Sequence, residues 1–583
     1  MNIPFRPKIL ALSLACLGSG LGAFPVWADT LAGGASITHG NVLNPPGAGA
    51  ERDDPAALGL YRIPVSHTPA GFMYDYARYR TGEEDEASVT TEGWTHRTVL
   101  EAGFVGGEGN NKASQFRQYK DVRNGPLLNY LGYEAEKASE ARYLNIYASG
   151  VGRRDAYYGM NFGRYNDFRL SLSYDTILHT YTNARTIWQG VGTDHLGLPA
   201  GFSPAGTSFT DPVAMAALND AVNKAPETTL EVVRKKAALR ADWRMNDFWK
   251  GYTSYSLEKR DGTRQTSGAF WFPLTIPGNT LFPSPANIVS GSVTQLVEPI
   301  DYQTHDLVTG LEYADDLTQV NLSVGASFFR NANRSLTWEN PFNLSSLGTA
   351  LSFGAMPNTA SDLKYGQFAL APDNEAYNVK GEFARAFPEF YRANLSGTVS
   401  LTRMRQNDKL IAPTPNSGYG GAIDLPPAYG GTGLSFIYPY SNWNTTAALS
   451  QQSTEAAIDT KLIDLNLSLV PVDKLTLRSK LRYYETANKT RYVAYNPLTG
   501  QYGYLQMGGG HGTFIATQDG IFYPGISTVS AVGNTAQAFQ YRNIPFDGHQ
   551  LNASLEGDYR LTTKATPPDV KIDVLQSRSK IGS

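Results

Sequence analysis

The sequence predicts an all-β protein, a large transmembrane antiparallel β-barrel of the bacterial outer membrane. Three observations lead to this prediction. Segments in which apolar and polar residues alternate recur along most of the chain, short turns alternate with long connections, and the N-terminus has the composition of an export signal. Outer-membrane barrels combine these features, because their strands place lipid-facing and lumen-facing side chains at every second position.

The first element, residues 1–28, is predicted to be a signal peptide. Arg6 and Lys8 supply a short positive region, residues 9–23 are mostly apolar or small, and Val26-Trp27-Ala28 offers a small-x-small cleavage site. Cleavage after Ala28 would remove Cys16, the only cysteine of the sequence. Residues 29–90 follow and contain a long stretch rich in Gly, Ala and Pro, which predicts a flexible mature N-terminus.

The predicted barrel spans residues 91–566. The alternation is clearest in "FRLSLSY" (168–174), "VNLSVGASF" (320–328), "IDLNLSL" (463–469) and "LNASLEGDYRL" (551–561). A soluble β-sandwich also alternates apolar and polar residues. The barrel is favoured because many segments approach the roughly ten residues that a tilted spanning strand needs, and because aromatic residues cluster at their ends.

The connections between these segments differ in length. Short turns are predicted at Asp261-Gly262, Asp315-Asp316 and 471–473, whereas long connections are predicted over 188–236, 262–303, 331–364, 408–457 and 488–548. Short turns at one end and long loops at the other are typical of outer-membrane barrels. A short helix is predicted inside the first long connection, with Asp211 as cap, Pro212 at the first helical position, and helical spacing at Leu230, Val233 and Ala237.

No pattern in the sequence indicates catalysis or a cofactor. The net charge of −3 provides no basic field that would attract nucleic acid. The eight histidines lack metal-binding spacing, and no Cys-x-x-Cys-His motif is present to attach haem. The nucleophile elbow "GxSxG" is also missing, which argues against a lipase-like enzyme. The sequence therefore predicts a protein that is not an enzyme and carries no cofactor of its own.

The polar side of the alternating strands is the candidate functional surface. In "ALAPDNEAYNVKGEF" (369–383), Tyr377, Val379 and Phe383 are predicted to face lipid. The residues between them are predicted to face the lumen, as are the polar residues of "IDLNLSL". The candidate lumen-facing contacts are Asn378, Lys380, Glu382, Asp464 and Asn466.

Five motifs in the chain resemble the MtrB/PioB family of decahaem-associated outer-membrane β-barrels. They are "SLEKRDGTR" (Ser256–Arg264), "LTWENPF" (Leu336–Phe342), "LAPDN" (Leu370–Asn374), "LSGTVSLTRMRQND" (Leu395–Asp408) and "LRYYETANKT" (Leu481–Thr490). Each motif is short, but together they span most of the mature chain. The chain lacks the Cys-x-x-Cys that some members of the family carry near the mature N-terminus.

The resemblance implies a porin-like barrel that holds a periplasmic multihaem (decahaem) c-type cytochrome across the outer membrane for extracellular electron transfer. It also implies an extracellular cytochrome as a further partner, with outer-membrane lipid around the barrel and all haem in the partner cytochrome. A general or substrate-specific porin shares the same strand pattern, so that alternative stays open. An outer-membrane lipase or protease barrel is a third hypothesis, which no nucleophile constellation supports.

The C-terminal residues 567–583 depart from the pattern of the family. Outer-membrane barrels usually end in an amphipathic strand that closes on an aromatic residue, whereas "PPDVKIDVLQSRSKIGS" has two prolines and a polar end. Roughly twenty candidate strands can be counted, which is within the known range but below the two dozen or more that the resemblance implies. The resulting hypothesis is a chain that is truncated or frame-shifted near Thr566, with an atypical tail after it.

Overall fold

The structure is a computed structural model that describes residues 89–107, 113–200, 202, 212–276, 286–342, 364–412, 415–416, 444–449, 451–490, 495–496, 501–502, 547–560 and 570–581. The predicted signal peptide, its cleavage site at Ala28 and the predicted cap residue Asp211 lie outside the described residues. So do residues 29–88 of the predicted flexible segment.

The described strands, in chain order, are β1 (Val89–Thr91), β2 (Trp94–Val105), β3 (Gly125–Lys137), β4 (Arg142–Val151), β5 (Tyr157–Arg164), β6 (Phe168–Ala184), β7 (His195–Leu196), β8 (Thr228–Arg244), β9 (Trp249–Ile276), β10 (Ala286–Ala314), β11 (Thr318–Asn331), β12 (Ser335–Glu339), β13 (Tyr365–Ala369), β14 (Asn374–Phe387), β15 (Ala393–Gln406), β16 (Ala456–Val472), β17 (Leu475–Asn488), β18 (Tyr495–Asn496), β19 (Gln501–Tyr502), β20 (Gly548–Tyr559) and β21 (Val570–Ile581). One α-helix, α1, spans Pro212–Lys224, and single 3-10 turns span Ala138–Glu140 and Thr446–Ala448.

Sixteen of these strands form one antiparallel sheet in the order β1-β2-β3-β4-β5-β6-β8-β9-β10-β11-β14-β15-β16-β17-β20-β21. Strands that follow one another in the chain are therefore neighbours in the sheet. The connections β8–β9, β10–β11, β14–β15 and β16–β17 are short and define the short-turn end. The connections β6–β8, β11–β14, β15–β16 and β17–β20 are long and define the long-loop end. This arrangement confirms the predicted antiparallel all-β fold with long loops on one side.

Two predicted connections, the short turn at Asp261-Gly262 and the long connection over 262–303, are wrong because strands occupy much of them. The Asp261-Gly262 pair lies inside β9, a strand of 28 residues that pairs with the 29-residue β10 along its length. Gly262 has a φ of 142°, and a Cβ there would collide with the Glu231 carbonyl oxygen. This glycine therefore permits a close approach of two strands, where β8 separates from β9, rather than a chain reversal.

The predicted helix is confirmed at Pro212, where α1 begins, but it ends at Lys224. Leu230, Val233 and Ala237 belong to β8 instead and pair with β6. The β-branched residues at 228, 229, 232 and 233 favour the extended conformation, and pairing with two neighbouring strands overrides the helical spacing.

The sheet also extends beyond residue 566, the predicted end of the barrel. Strand β21 pairs with β20 over twelve registered positions, from Tyr559↔Val570 to Gly548↔Ile581. Apolar residues occupy alternate positions 570, 572 and 574, which is the pattern of a strand despite the two prolines that precede it.

The long-loop end carries a small unit with its own hydrophobic core, which we call the cap. Strands β13, β12 and β7 form a three-stranded sheet there. The core of the cap contains Ile187, Trp188, Leu196, Leu296, Leu336, Trp338 and Leu370. The Trp338 indole N–H donates to the Ala269 carbonyl oxygen at 3.2 Å, which fixes the cap to the part of β9 that extends past β8.

Among the described residues, no helix has both the length and the apolar character needed to cross a membrane.

Candidate functional site: the polar face of the sheet

One face of the 16-stranded sheet, which we call the apolar face, presents apolar side chains that remain exposed. The exposed fraction is 52% for Leu322, 56% for Val379 and 49% for Leu401, residues of three neighbouring strands. An exposed apolar surface that continues from strand to strand marks a surface that meets an apolar environment, such as lipid. The polar face is the opposite side, to which every second residue of these strands points.

On the polar face, charged groups of β6, β8 and β9 form ion pairs, some between neighbouring strands and some within one strand. Glu258 is almost fully buried, and its two carboxylate oxygens accept hydrogen bonds from Arg234 Nε and Arg260 Nε, each at 2.6 Å. Asp242 is held in a similar way by Arg169 at 3.2 Å and Arg240 at 2.8 Å. These pairs fix the orientation of the guanidinium groups on the polar face.

A further pair lies where β9 and β10 extend past β8, toward the long-loop end. Arg264 donates to both oxygens of Glu298 at 2.9 Å, and the Tyr302 hydroxyl also donates to Glu298 at 3.2 Å. This bidentate geometry holds the guanidinium plane fixed while 47% of the Arg264 side chain stays exposed.

The structure places Asn378, Lys380 and Glu382 on the polar face, where the three residues behave differently. Asn378 is 3% exposed, and its Nδ2 donates to Ser400 Oγ at 2.9 Å and to Thr402 Oγ1 at 2.8 Å. These bonds tie β14 to β15 and leave little of Asn378 for a partner. Lys380 and Glu382 form an ion pair at 2.6 Å with 27% and 36% of their side chains exposed, so both can still be reached.

Strand register brings Asp464 and Asn466 onto the same face. Glu382 pairs with Thr398 and Thr398 with Asp464, so these residues form one row across β14, β15 and β16. Asn466 Nδ2 donates to Asp464 Oδ1 at 2.9 Å, and Lys480 Nζ lies 3.9 Å from Asp464 Oδ2. Contact between any of these five residues and a partner remains a prediction.

The alternation pattern of the sequence does not single out the most prominent cations of the polar face. The exposed side-chain fractions are 52% for Arg260, 47% for Arg264 and 53% for Arg478. A signal was present in "SLEKRDGTR", in which Glu258, Arg260 and Arg264 occupy even-numbered positions. The signal was lost because the Asp-Gly pair suggested a turn, which would have interrupted the alternation.

The polar face is suited to binding. It presents arginine and lysine donors that are oriented by acidic neighbours, and it can therefore meet a polar or charged surface through many charge-assisted hydrogen bonds. Among the described residues, no group of three or more His, Cys, Asp or Glu side chains is placed to hold a metal ion.

Comparison with known proteins identifies a family match and a relative of this chain. The family described as "Putative outer membrane beta-barrel porin, MtrB/PioB" matches residues 109–568. The chain is 25% identical to "Outer membrane protein MtrB" of Shewanella baltica (strain OS185) over 364 residues, which are 60% of this chain and 45% of that protein. The chain thus spans less than half of the length of this relative.

Two solved structures show a weaker similarity. The copper transporter OprC is 10% identical with a TM-score of 0.27, over 85% of this chain and 60% of its own. The ferric-catecholate import receptor Fiu of E. coli K12 is 12% identical with a TM-score of 0.26, over 84% of this chain and 63% of its own. Similarity at this level supports no conclusion about function.

The family match covers well over half of the chain, and it agrees with an antiparallel sheet that is apolar and exposed on one face and charged on the other. The chain belongs to the MtrB/PioB family of β-barrel proteins and resides in the outer membrane.

Proposed function

We propose that this barrel holds a periplasmic multihaem c-type cytochrome, of the decahaem class, across the outer membrane. In this role the polar face lines the lumen and contacts the cytochrome, and the apolar face meets lipid. The barrel supplies position and insulation, whereas the partner supplies the haems. Electrons would pass through the enclosed cytochrome between the periplasm and an extracellular cytochrome or another acceptor or donor.

The paired but half-exposed arginines of the polar face are the observation that carries the proposal. An arginine has five N–H donors, and an acidic neighbour on its own strand or on the next uses only one or two of them. Arg260, Arg264 and Arg478 are thus held in place and still present donors to a large polar partner.

The physical need for such a barrel supports the same role. A cytochrome that crossed the hydrocarbon layer without cover would place charged and hydrogen-bonding groups in lipid, at a cost of several kcal/mol for each unsatisfied group. A closed set of strands satisfies its own backbone, and its polar face replaces the water that the cytochrome surface would lose.

Co-purification tests the proposal directly. The full chain, tagged and produced in a host that also exports a decahaem c-type cytochrome, is extracted in mild detergent and stained for haem. We expect one haem protein per barrel, and we expect liposomes that contain both proteins to reduce an enclosed dye from an external electron donor. A correctly inserted barrel that retains no haem protein and supports no electron transfer would contradict the proposal.

A porin is the second candidate function, because the family description names one. The two functions differ in the behaviour of the barrel without its partner and in the effect of adding the cytochrome. A porin would conduct ions steadily in a planar bilayer, and the conductance would not change when the cytochrome is added. The proposed sheath would lose any such conductance when the cytochrome fills the lumen.

A further inference from the structure

Three cations lie in one row across the apolar face, close to the long-loop end. The register pairs Lys235 of β8 with Lys259 of β9, Lys259 with Gln303 of β10, and Gln303 with Arg330 of β11. We call Lys235, Lys259 and Arg330 the cationic row. Their side chains are 41%, 44% and 46% exposed.

The cationic row begins where the apolar surface ends. Two residues closer to the short-turn end on each strand, the same face of these four strands carries Ala237, Leu257, His305 and Phe328. The next step includes Tyr255, whose hydroxyl lies 2.9 Å from His305 Nδ1. Aromatic side chains of this kind mark the depth at which acyl chains give way to lipid headgroups. The three cations therefore lie at headgroup level.

The protein itself neutralises these cations only weakly. Lys235 and Lys259 are directly opposite each other, an arrangement of like charges that destabilises a sheet. The acidic partners of the two lysines, Asp261 at 3.0 Å and Asp301 at 3.6 Å, lie two residues farther toward the long loops. Asp373, which immediately precedes β14, lies 3.8 Å from Arg330. Ion pairs this exposed contribute little to stability. The cations thus remain available to an anion that approaches from the bilayer side.

The opposite end of the same strands is different. There the apolar face ends in Trp243, Trp249, Tyr313 and Thr318, and in the described parts of β8 to β11 it carries no charged side chain at that end. In these four strands the charge of the apolar face is therefore confined to the long-loop end, which faces the cell exterior in barrels with short periplasmic turns. An asymmetric protein surface of this kind fits a membrane whose outer leaflet differs chemically from its inner leaflet.

We propose that the cationic row binds the phosphate groups of a phosphorylated glycolipid in the outer leaflet. The acyl chains lie along the apolar face, and the phosphates accept hydrogen bonds from the two ammonium groups and the guanidinium group. The row spans about 14 Å across three strand spacings, enough for a headgroup with two phosphates. A lipid is favoured over a soluble protein because the row points sideways into the headgroup layer. The lipid site does not depend on what fills the lumen.

The test uses the full chain in nanodiscs of phosphatidylcholine doped with bis-phosphorylated lipid A. The variant K235Q/K259Q/R330Q removes the charge and keeps the side-chain length. Arg385→Gln is the matched control, because Arg385 lies on the same face of β14 but near the short-turn end. We expect native mass spectrometry to show lipid A bound to the parent chain and to the control, and at least tenfold weaker retention by the triple variant.

Two results would overturn the proposal: unchanged lipid A retention by the triple variant, or equal retention of dephosphorylated lipid A or of phosphatidylglycerol by the parent chain. Folding of each variant is verified by heat-modifiable migration in gels. If the triple variant does not fold, Lys259→Gln provides the test alone, since it removes the central charge and also relieves the like-charge contact with Lys235. A several-fold loss of lipid A retention is then expected, and unchanged retention would contradict the proposal.

Discussion

Neighbouring residues of a single strand can lie on opposite faces of the sheet, as Val379 and Lys380 do. Val379 is 56% exposed on the apolar face, whereas Lys380 forms its ion pair with Glu382 on the polar face. The two residues are adjacent in sequence, so their different environments follow from the pleat of β14 alone.

Val379→Lys is expected to destabilise the inserted barrel by about 2–4 kcal/mol, because it places a cation in the lipid-facing band. Lys380→Ala is the control and should cost no more than about 1 kcal/mol, since it removes only a partly exposed ion pair. Urea unfolding in lipid vesicles, followed by tryptophan fluorescence, measures both. Equal tolerance of the two changes would contradict the assignment of the faces.

Two aspartates outside the spanning strands should respond to pH in opposite directions. Burial raises the pKa of the Asp155 carboxyl above its ordinary value of 3.8, and the nearby Asp121 carboxylate acts in the same direction. Asp155 Oδ2 accepts the Asp121 backbone N–H at 3.2 Å. By contrast, the Tyr313 hydroxyl and the backbone N–H groups of Leu317 and Thr318 lower the pKa of Asp315 below 3.8.

Asp155→Asn is expected to stabilise the local structure at pH 7. The native state holds the Asp155 proton more tightly than the unfolded state, so the ionised group costs stability that returns as the pH falls through its raised pKa. Hydrogen exchange of residues 113–124 and 151–156, corrected for intrinsic rates, should show protection that rises a few-fold in the variant.

Asp315→Asn is the matched comparison and should reduce local stability at pH 7, the opposite of the effect expected for Asp155→Asn. The ionised Asp315 contributes stability above the ordinary pKa, and this contribution is lost as the pH falls through its lowered pKa. The variant should therefore exchange faster in the β10–β11 turn at pH 7. Faster exchange around Asp155 in the Asp155→Asn variant would show that its carboxylate stabilises the loop, contrary to the prediction.

At the level of elements, β9 and β10 belong to two environments. The halves of β9 and β10 nearer the short-turn end pair with β8 and β11 in the sheet. The parts nearer the long-loop end pair with each other and support the cap. Gly262 lies at the division, where β8 turns away from β9 and its pairing with β6 continues alone.

Gly262→Ala is expected to cost about 1–3 kcal/mol, because an L side chain is strained at this φ and its Cβ would collide with the Glu231 carbonyl oxygen. Gly103→Ala in β2 is the control, since a Cβ there meets nothing within 4 Å. Limited proteolysis should cut the cap of the Gly262 variant faster, with the sheet still protected. Identical digestion of the two variants would contradict the role of Gly262.

The orientation of the whole molecule follows from its two ends. The short-turn end is assigned to the periplasm and the long-loop end to the cell exterior. Helix α1 and the β14–β15 turn provide exposed positions at opposite ends, with 77% of Val213 and 61% of Phe390 exposed.

Val213→Cys should react with a membrane-impermeant maleimide in intact cells, whereas Phe390→Cys should react only after the outer membrane is permeabilised. At least a tenfold difference in labelling of intact cells is expected. The parent chain is a suitable control, because its single cysteine, Cys16, lies in the predicted signal peptide. The reverse pattern of labelling would invert the proposed orientation, and with it the position of the cationic row.

Much of this architecture is predictable from sequence, because alternation is a local property of each strand. The faces of 463–469 and of 377–383 follow from the letters alone. Contacts between strands do not: the row from Glu382 to Asp464 and the row from Lys235 to Arg330 depend on the register of several strands. Gly262 shows the same limit, since a turn dipeptide and a close strand crossing both require glycine, and only the position of Glu231 distinguishes them.

The cap has a consequence for the order in which the chain assembles. The Trp188 indole N–H donates to the Glu339 carbonyl oxygen at 3.0 Å, which joins residues 151 positions apart. Insertion of strands β8 to β11 brings these two segments close and removes most of the loop that would otherwise have to close. The cap is therefore expected to form late in biogenesis. Once formed, it should slow the withdrawal of these four strands from the membrane, because the cap must open first.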